Sequence, residues 1–264
     1  MVFIDINSIK MNYKVQGEGY PVVLIHGLSD DLNYWNPLSS YLSKYFKVIS
    51  MDLRGHGKTS IGNDQLSISL LCNDVYKLIQ SLHIKKCCLV GFSIGGNIAI
   101  ELALNHPEVV SSLILMSTFA KADDELTSCF LKFKKGLDSG FECFCDEIIP
   151  YVLPKELIEE NKDKLKDIKK EKAKYINTEN IKKIIIAEEN FNRLNDLKNI
   201  NCKTLIIVGK NDTLTCPKFS YELKKNIPNS KIELIDYGKH NLYIKQNIAQ
   251  LNKIILEFLK DEKR

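Results

Sequence analysis

Cys87-Cys88-Leu89-Val90-Gly91-Phe92-Ser93-Ile94-Gly95-Gly96 is the stretch on which the fold of this chain turns. Cys87–Val90 is a short apolar run of strand length, and a helical pattern begins at Ile94. Between them lies Gly-x-Ser-x-Gly, in the strand–turn–helix context that gives this motif meaning. A serine hydroxyl is a weak nucleophile, so it has to project from a tight elbow toward a base. Glycines on both sides remove side chains where strand and helix crowd together. The helix N-terminus then offers the Ile94 amide to a developing oxyanion. The plain structural alternative is a glycine-rich turn with an idle serine, and partner residues downstream decide between the two.

Two partners stand at the C-terminal ends of later strand candidates, the edge where open α/β sheets gather their ligands. Thr204–Val208 is followed by Gly209-Lys210-Asn211-Asp212, and Ile232–Ile235 by Asp236-Tyr237-Gly238-Lys239-His240. Ser93, Asp212 and His240 thus run in the order nucleophile, acid, base. Asp123, Asp124 and Asp236 are rival acids, and Asp212 is preferred as the nearest to its strand end. After Val22–Ile25 comes His26-Gly27-Leu28, where the Leu28 amide is assigned as the second oxyanion donor beside that of Ile94. His26 reads as a brace of that loop, because a base there would leave His240 unexplained. His83 and His106 sit at predicted helix ends. Trp35, the one tryptophan, reads either as part of the acyl pocket or as a buried helix anchor, and Phe92 as a pocket residue.

Working outward, β-branched apolar runs alternate with helical patterns, the signature of a mostly parallel sheet with helices on both faces. Val2–Ile6 and Met11–Val15 predict an antiparallel start through an Asn7-Ser8 turn. Lys47–Met51, Cys87–Val90, Leu113–Met116, Thr204–Val208 and Ile232–Ile235 read as near-continuously apolar strands, buried on both faces. Helices are predicted over Trp35–Lys44, Leu66–Leu82, Ile94–Asn105, Lys218–Asn226 and Ile244–Leu259. From 121 to 199 the alternation stops and charged helical text takes over. A structureless loop of that length is improbable in a compact domain, so a helical insertion over the strand ends is expected. Lysines 162, 164, 166, 169, 170, 172 and 174 read as a solvated helix face, with docking on an acidic carrier protein as the other reading.

The 264 residues, 44% apolar and 27% charged, describe a globular chain large enough to fold without metal or disulfide. The net charge of +4 comes from 34 lysines and three arginines against 33 acids. With so few arginine forks, nucleic-acid binding is not expected. No apolar run is long enough to span a bilayer, and the N-terminus lacks a basic signal region, so a cytoplasmic protein is expected. The eight cysteines form no CxxC pair and no zinc spacing. Cys143-x-Cys145 is read as two reduced thiols, with a metal or redox pair as the alternative.

Together with the Asp52-Leu53-Arg54-Gly55-His56-Gly57-Lys58-Thr59-Ser60 loop, these motifs resemble the α/β-hydrolase superfamily, in its esterase, lactonase and carbon–carbon-bond hydrolase branch. The resemblance implies an α/β fold with about eight strands, a core of residues 1–120 and 200–264, and a helical cap of 121–199. It also marks the Asp52–Ser60 loop as a fold landmark outside the triad. The expected activity is cofactor-free and metal-free cleavage of a small carboxylic ester, lactone or thioester through an acyl-enzyme on Ser93. Hydrolysis of an activated C–C bond and perhydrolysis share the same triad. A non-catalytic ligand-binding protein on this fold is the alternative from another class.

Overall fold

The computed structural model describes residues 2–260; Met1 and residues 261–264, at the two ends of the expected core, lie outside the described residues. Eight strands form one sheet: β1 Val2–Ile6, β2 Ile9–Gln16, β3 Pro21–Ile25, β4 Lys47–Met51, β5 Cys87–Phe92, β6 Val110–Met116, β7 Lys203–Gly209 and β8 Ser230–Ile235. Their spatial order is β1-β2-β4-β3-β5-β6-β7-β8. β1 and β2 pair antiparallel through Asn7 and Ser8, both at positive φ, and β2 runs antiparallel to β4. From β4 to β8 every pairing is parallel.

The helices are α1 Asn36–Leu42, α2 Ile68–Ser81, α3 Ile94–Asn105, α4 Asp124–Asp138, α5 Phe141–Val152, α6 Lys155–Glu160, α7 Lys162–Ala173, α8 Thr178–Glu189, α9 Pro217–Asn226 and α10 Ile248–Lys260. Alternate residues of the central strands enter two different cores. In β5, Cys87 and Leu89 join the cluster that holds Leu71 and Val75 of α2, Ile98 of α3 and Phe219 of α9. Cys88, Val90 and Phe92 join the cluster of Leu38 and Leu42 from α1 with Leu251 and Ile255 from α10. This is the period-2 pattern of a sheet buried on both faces, and it explains the unbroken apolar text. β8 departs from the expectation. It pairs only with β7, and its Lys231 and Glu233 face solvent, as suits an edge strand.

Several element ends also differ. The predicted helix at Trp35 begins only at Asn36, after a short 3-10 turn over Leu32–Trp35 capped by Asp31. The last helix begins at Ile248, not Ile244, because Ile244–Asn247 form a turn. β5 runs on through Gly91 and Phe92.

Between β6 and β7 the chain makes an all-helical excursion, α4 to α8. It leaves and returns at adjacent points: Lys121 bridges Asn192, and the Arg193 N–H donates to the Ala120 carbonyl at 2.9 Å. Arg193 also forks onto the buried carboxylate of Glu101 in α3, at 2.7 and 2.8 Å. The predicted solvated lysine face of α7 holds for Lys162, Lys164, Lys166, Lys170 and Lys174. It fails for Lys169 and Lys172, which are half-buried and turn inward, toward Asp146 and the Ser29 carbonyl respectively. No described helix is long and apolar enough to cross a membrane.

Candidate active site

Ser93 follows β5 at the centre of the sheet with φ 54° and ψ −122°, and α3 starts at the next residue. A β-carbon here is strained, and the surroundings hold it in place. The Ser93 N–H donates to the Met116 carbonyl at 2.9 Å, and its own carbonyl accepts from Thr118 Oγ1 at 2.8 Å. The flanking glycines are required by close approach. A β-carbon on Gly91 would stand 2.3 Å from the Gly95 carbonyl oxygen, and one on Gly95 2.1 Å from that of Ile25. Ile94 is the first residue of α3, so its amide is one of the N-terminal donors that have no partner within the helix.

Asp212 and His240, 28 residues apart, meet at the ends of β7 and β8. His240 Nδ1 lies 3.0 Å from Asp212 Oδ2. Asp212 Oδ1 accepts from the amides of Leu214 and Thr215 at 2.9 and 3.0 Å. Thr215 Oγ1 donates to Asp212 Oδ2 at 2.9 Å and lies 3.0 Å from His240 Nδ1. Burial pushes the Asp212 carboxyl up, but the adjoining His240, the Leu214 amide and the Thr215 hydroxyl outweigh it and hold it below the usual carboxylate range. A carboxylate on that side keeps the imidazole proton on Nδ1, which leaves Nε2 as the basic nitrogen. The rival acids are engaged elsewhere. Asp123 caps α4 and pairs with Lys218 at 2.6 Å, Asp124 lies in the first turn of α4, and exposed Asp236 pairs with Lys210.

Ser93, His240, Leu28 and Phe92 line one cavity of about 200 Å³, roofed by residues of α4, α5, α7 and α8. Trp35 does not line it. The indole is fully buried with α1 and α10, edge-on to Tyr34 and Tyr243, so the helix-anchor reading replaces the pocket one. Tyr34 stands between Trp35 and the pocket, stacked on Phe92 at 4.7 Å.

The remaining histidines are held out of this cavity. His26 Nε2 accepts from the Leu53 N–H at 3.0 Å and Nδ1 donates to the Gly27 carbonyl at 2.8 Å, which fixes a neutral ring. Burial lowers its pKa to about 4. His56 packs edge-on against His26 at 5.0 Å, and burial, with His26 adding, lowers it to about 3. In the same loop Asp52 accepts from the amides of Leu32 and Lys58, and Arg54 forks onto Asp74 at 2.7 and 2.8 Å. All eight cysteines are free thiols; Cys143 is exposed and Cys145 buried.

Sequence reasoning missed Thr215, Glu188 of α8, and the phenylalanines of α4 and α5 that face the cavity. The amphipathic pattern of α4 and α5 marks these rings as buried, but not what they are buried against.

The family described as alpha/beta hydrolase fold matches residues 20–144. A relative from Agrobacterium fabrum, named "Putative carbamate hydrolase RutD", is 27% identical over 258 residues, covering 94% of this chain and 98% of its own. A relative of the same name from Serratia proteamaculans is 26% identical, covering 94% and 96%. Among solved structures, the enol-lactonase from Burkholderia xenovorans LB400 superposes with a TM-score of 0.89 at 23% identity, over 98% of this chain and all of that one. A thermophilic esterase from Thermogutta terrifontis gives 0.86 at 23% identity, over 96% and 94%.

Proposed function

Because the chain belongs to the α/β-hydrolase superfamily, we propose that it is a serine hydrolase that cleaves a small carboxylic ester, lactone or thioester through an acyl-enzyme. The observation that carries this reading is the bond of 3.0 Å between Asp212 and His240, beside a cavity onto which the strained Ser93 also opens. Ser93 Oγ attacks the carbonyl carbon while His240 Nε2 takes its proton. Asp212 orients the ring and stabilises the imidazolium. The amides of Leu28 and Ile94 hold the oxyanion. His240 then protonates the leaving group and activates water, which frees the acid and regenerates Ser93.

In this reading residues 121–199 act as a cap whose helices close the pocket over the scissile bond, and the chemistry uses no metal or cofactor. The carbamate and enol-lactone of the relatives' names are likewise carbonyl carbons bearing a heteroatom leaving group, which fits the same machinery. The test is a panel of p-nitrophenyl esters of rising acyl length, with lactones, thioesters and carbamates alongside, after labelling with a fluorophosphonate. Stoichiometric labelling that disappears in Ser93→Ala, with turnover of at least one substrate class, is the expected result. An unreactive wild-type serine would instead support a binding protein on this fold.

A further inference from the structure

Glu188 of α8 is 2% exposed and lines the cavity shared by Ser93 and His240, yet its carboxyl has no hydrogen bond or ion pair among the described residues. An acid buried without a partner costs stability, so something beyond the fold has to account for it. The neighbouring lysines make their bonds elsewhere. Lys134 of α4, the helix packed along α8, bonds the neighbouring Glu189 at 2.6 and 2.7 Å. In the same cavity wall, from α7, Lys169 is held by Asp146, and Lys172 donates to the Ser29 carbonyl at 3.2 Å. Asp30 and His240 complete the titratable lining, with the thiol of Cys145.

The rest of the wall is aromatic: Phe92, Phe119, Phe130, Phe133, Phe141 and Phe144. Ring faces carry negative quadrupole charge, and a carboxylate among them is the combination that attracts an organic cation out of water. We propose that Glu188 and the rings of α4 and α5 (Phe130, Phe133, Phe141 and Phe144) form a subsite for a substrate that carries an ammonium group on the part remote from the scissile bond. The identity of that bond rests on the serine-hydrolase reading above; the cation subsite does not. Burial, with Glu189 adding, holds the Glu188 carboxyl up at about 8 while the subsite is empty. An entering ammonium therefore displaces its proton to solvent, and the pair that forms is Glu188 carboxylate and ligand cation.

The probes are choline and 3,3-dimethylbutan-1-ol, which differ only in nitrogen against carbon, titrated calorimetrically into the wild-type chain at neutral pH. Choline should bind about tenfold more tightly, and titrations in two buffers of different ionisation enthalpy should show proton release. Glu188→Gln should abolish both the preference and the release. Glu188→Met should abolish the preference and raise Tm, since it removes a buried acid that serves only a ligand. Equal affinity for the two probes, or a preference that survives either variant, overturns the inference. If neither variant folds, the wild-type affinity ratio and proton release decide it. Fluorophosphonate labelling without choline preference removes this subsite and leaves the hydrolase; choline preference without labelling does the reverse.

Discussion

The backbone N–H of His240 donates to the carbonyl of Tyr151 at 3.3 Å, so the loop bearing the proposed base is fastened to the last turn of α5. The neighbours repeat the pattern: Lys239 Nζ donates to the Pro150 carbonyl at 2.6 Å and the Asn241 N–H to that of Val152 at 3.1 Å. The last carbonyls of a helix have no partners within it, and here residues 239–241 supply them. The helical excursion therefore helps to hold the loop of the proposed base as well as lining the cavity.

Replacing residues 121–192 by a short Gly-Ser linker should accordingly lower ester hydrolysis by about 10²-fold or more, because small displacements of a catalytic group are costly. Steady-state kinetics on the smallest ester accepted by the wild type checks this. Full activity on that ester would mean that the His240 loop holds itself.

Ser93→Ala should retain the fold and lose turnover by roughly 10⁴–10⁶-fold. Ser93→Gly should be equally inactive yet more stable by about 1 kcal/mol, since glycine adopts the φ of 54° without the strain of a β-carbon. Denaturant midpoints and turnover, measured on the same preparations, separate the two effects.

Asp212→Asn should cost about 10³–10⁴-fold in kcat by losing both the charge and the correct imidazole tautomer. Thr215→Val removes one charge-assisted hydrogen bond to the Asp212 carboxylate and leaves the Thr215 amide in place, so a loss of roughly 10–100-fold is expected. A Thr215→Val loss as deep as that of Asp212→Asn would show that the hydroxyl is a principal member of the site.

The buried histidines His26 and His56 should draw stability down in acid, against the Glu188 and Asp30 carboxyls, whose pKa values, raised by burial to about 8 and about 6, act in the opposite direction. His26 and His56 have native pKa values of about 4 and about 3, against 6.5 unfolded. Below pH 6.5 the unfolded chain takes up protons that the native chain refuses. Their contribution is complete above 6.5 and is lost as pH falls toward 4 for His26 and 3 for His56. Each adds a slope of up to ~1.4 kcal/mol per pH unit inside its window. Urea unfolding of the wild type and His56→Gln at pH 7.5, 6 and 5 should show the difference between them moving against the wild type below pH 6.5, by up to ~1.4 kcal/mol per pH unit.

Arg193→Ala should destabilise the chain by about 3 kcal/mol, because it strands the buried Glu101 carboxylate without its cation. Glu101→Gln, which keeps the shape and removes the charge, should cost less. Equal Tm values for the wild type and Arg193→Ala would show that the joint at the base of the helical excursion is not structural.

The sheet and the elbow were legible in the residues because both are written locally. A strand buried on two faces reads as unbroken apolar text, and the crowding at Gly91 and Gly95 leaves no room for a side chain at either position. Asp212 and His240 could be nominated for the same reason, since each lies just past the end of a recognisable strand. Their bond of 3.0 Å, and the Thr215 hydroxyl beside it, belong to the tertiary structure, which decides where two loops 28 residues apart come together. The amphipathic pattern of α4, α5 and α8 told which faces are buried; only the packing revealed that Phe130, Phe144 and Glu188 are buried against a cavity. The same holds for Trp35, whose size marks it for the interior while the stacking of Tyr34 on Phe92 keeps it from the pocket. Periodicity records how strongly a side chain avoids water, whereas a site depends on what stands opposite that side chain. That is set by contacts far apart in the chain.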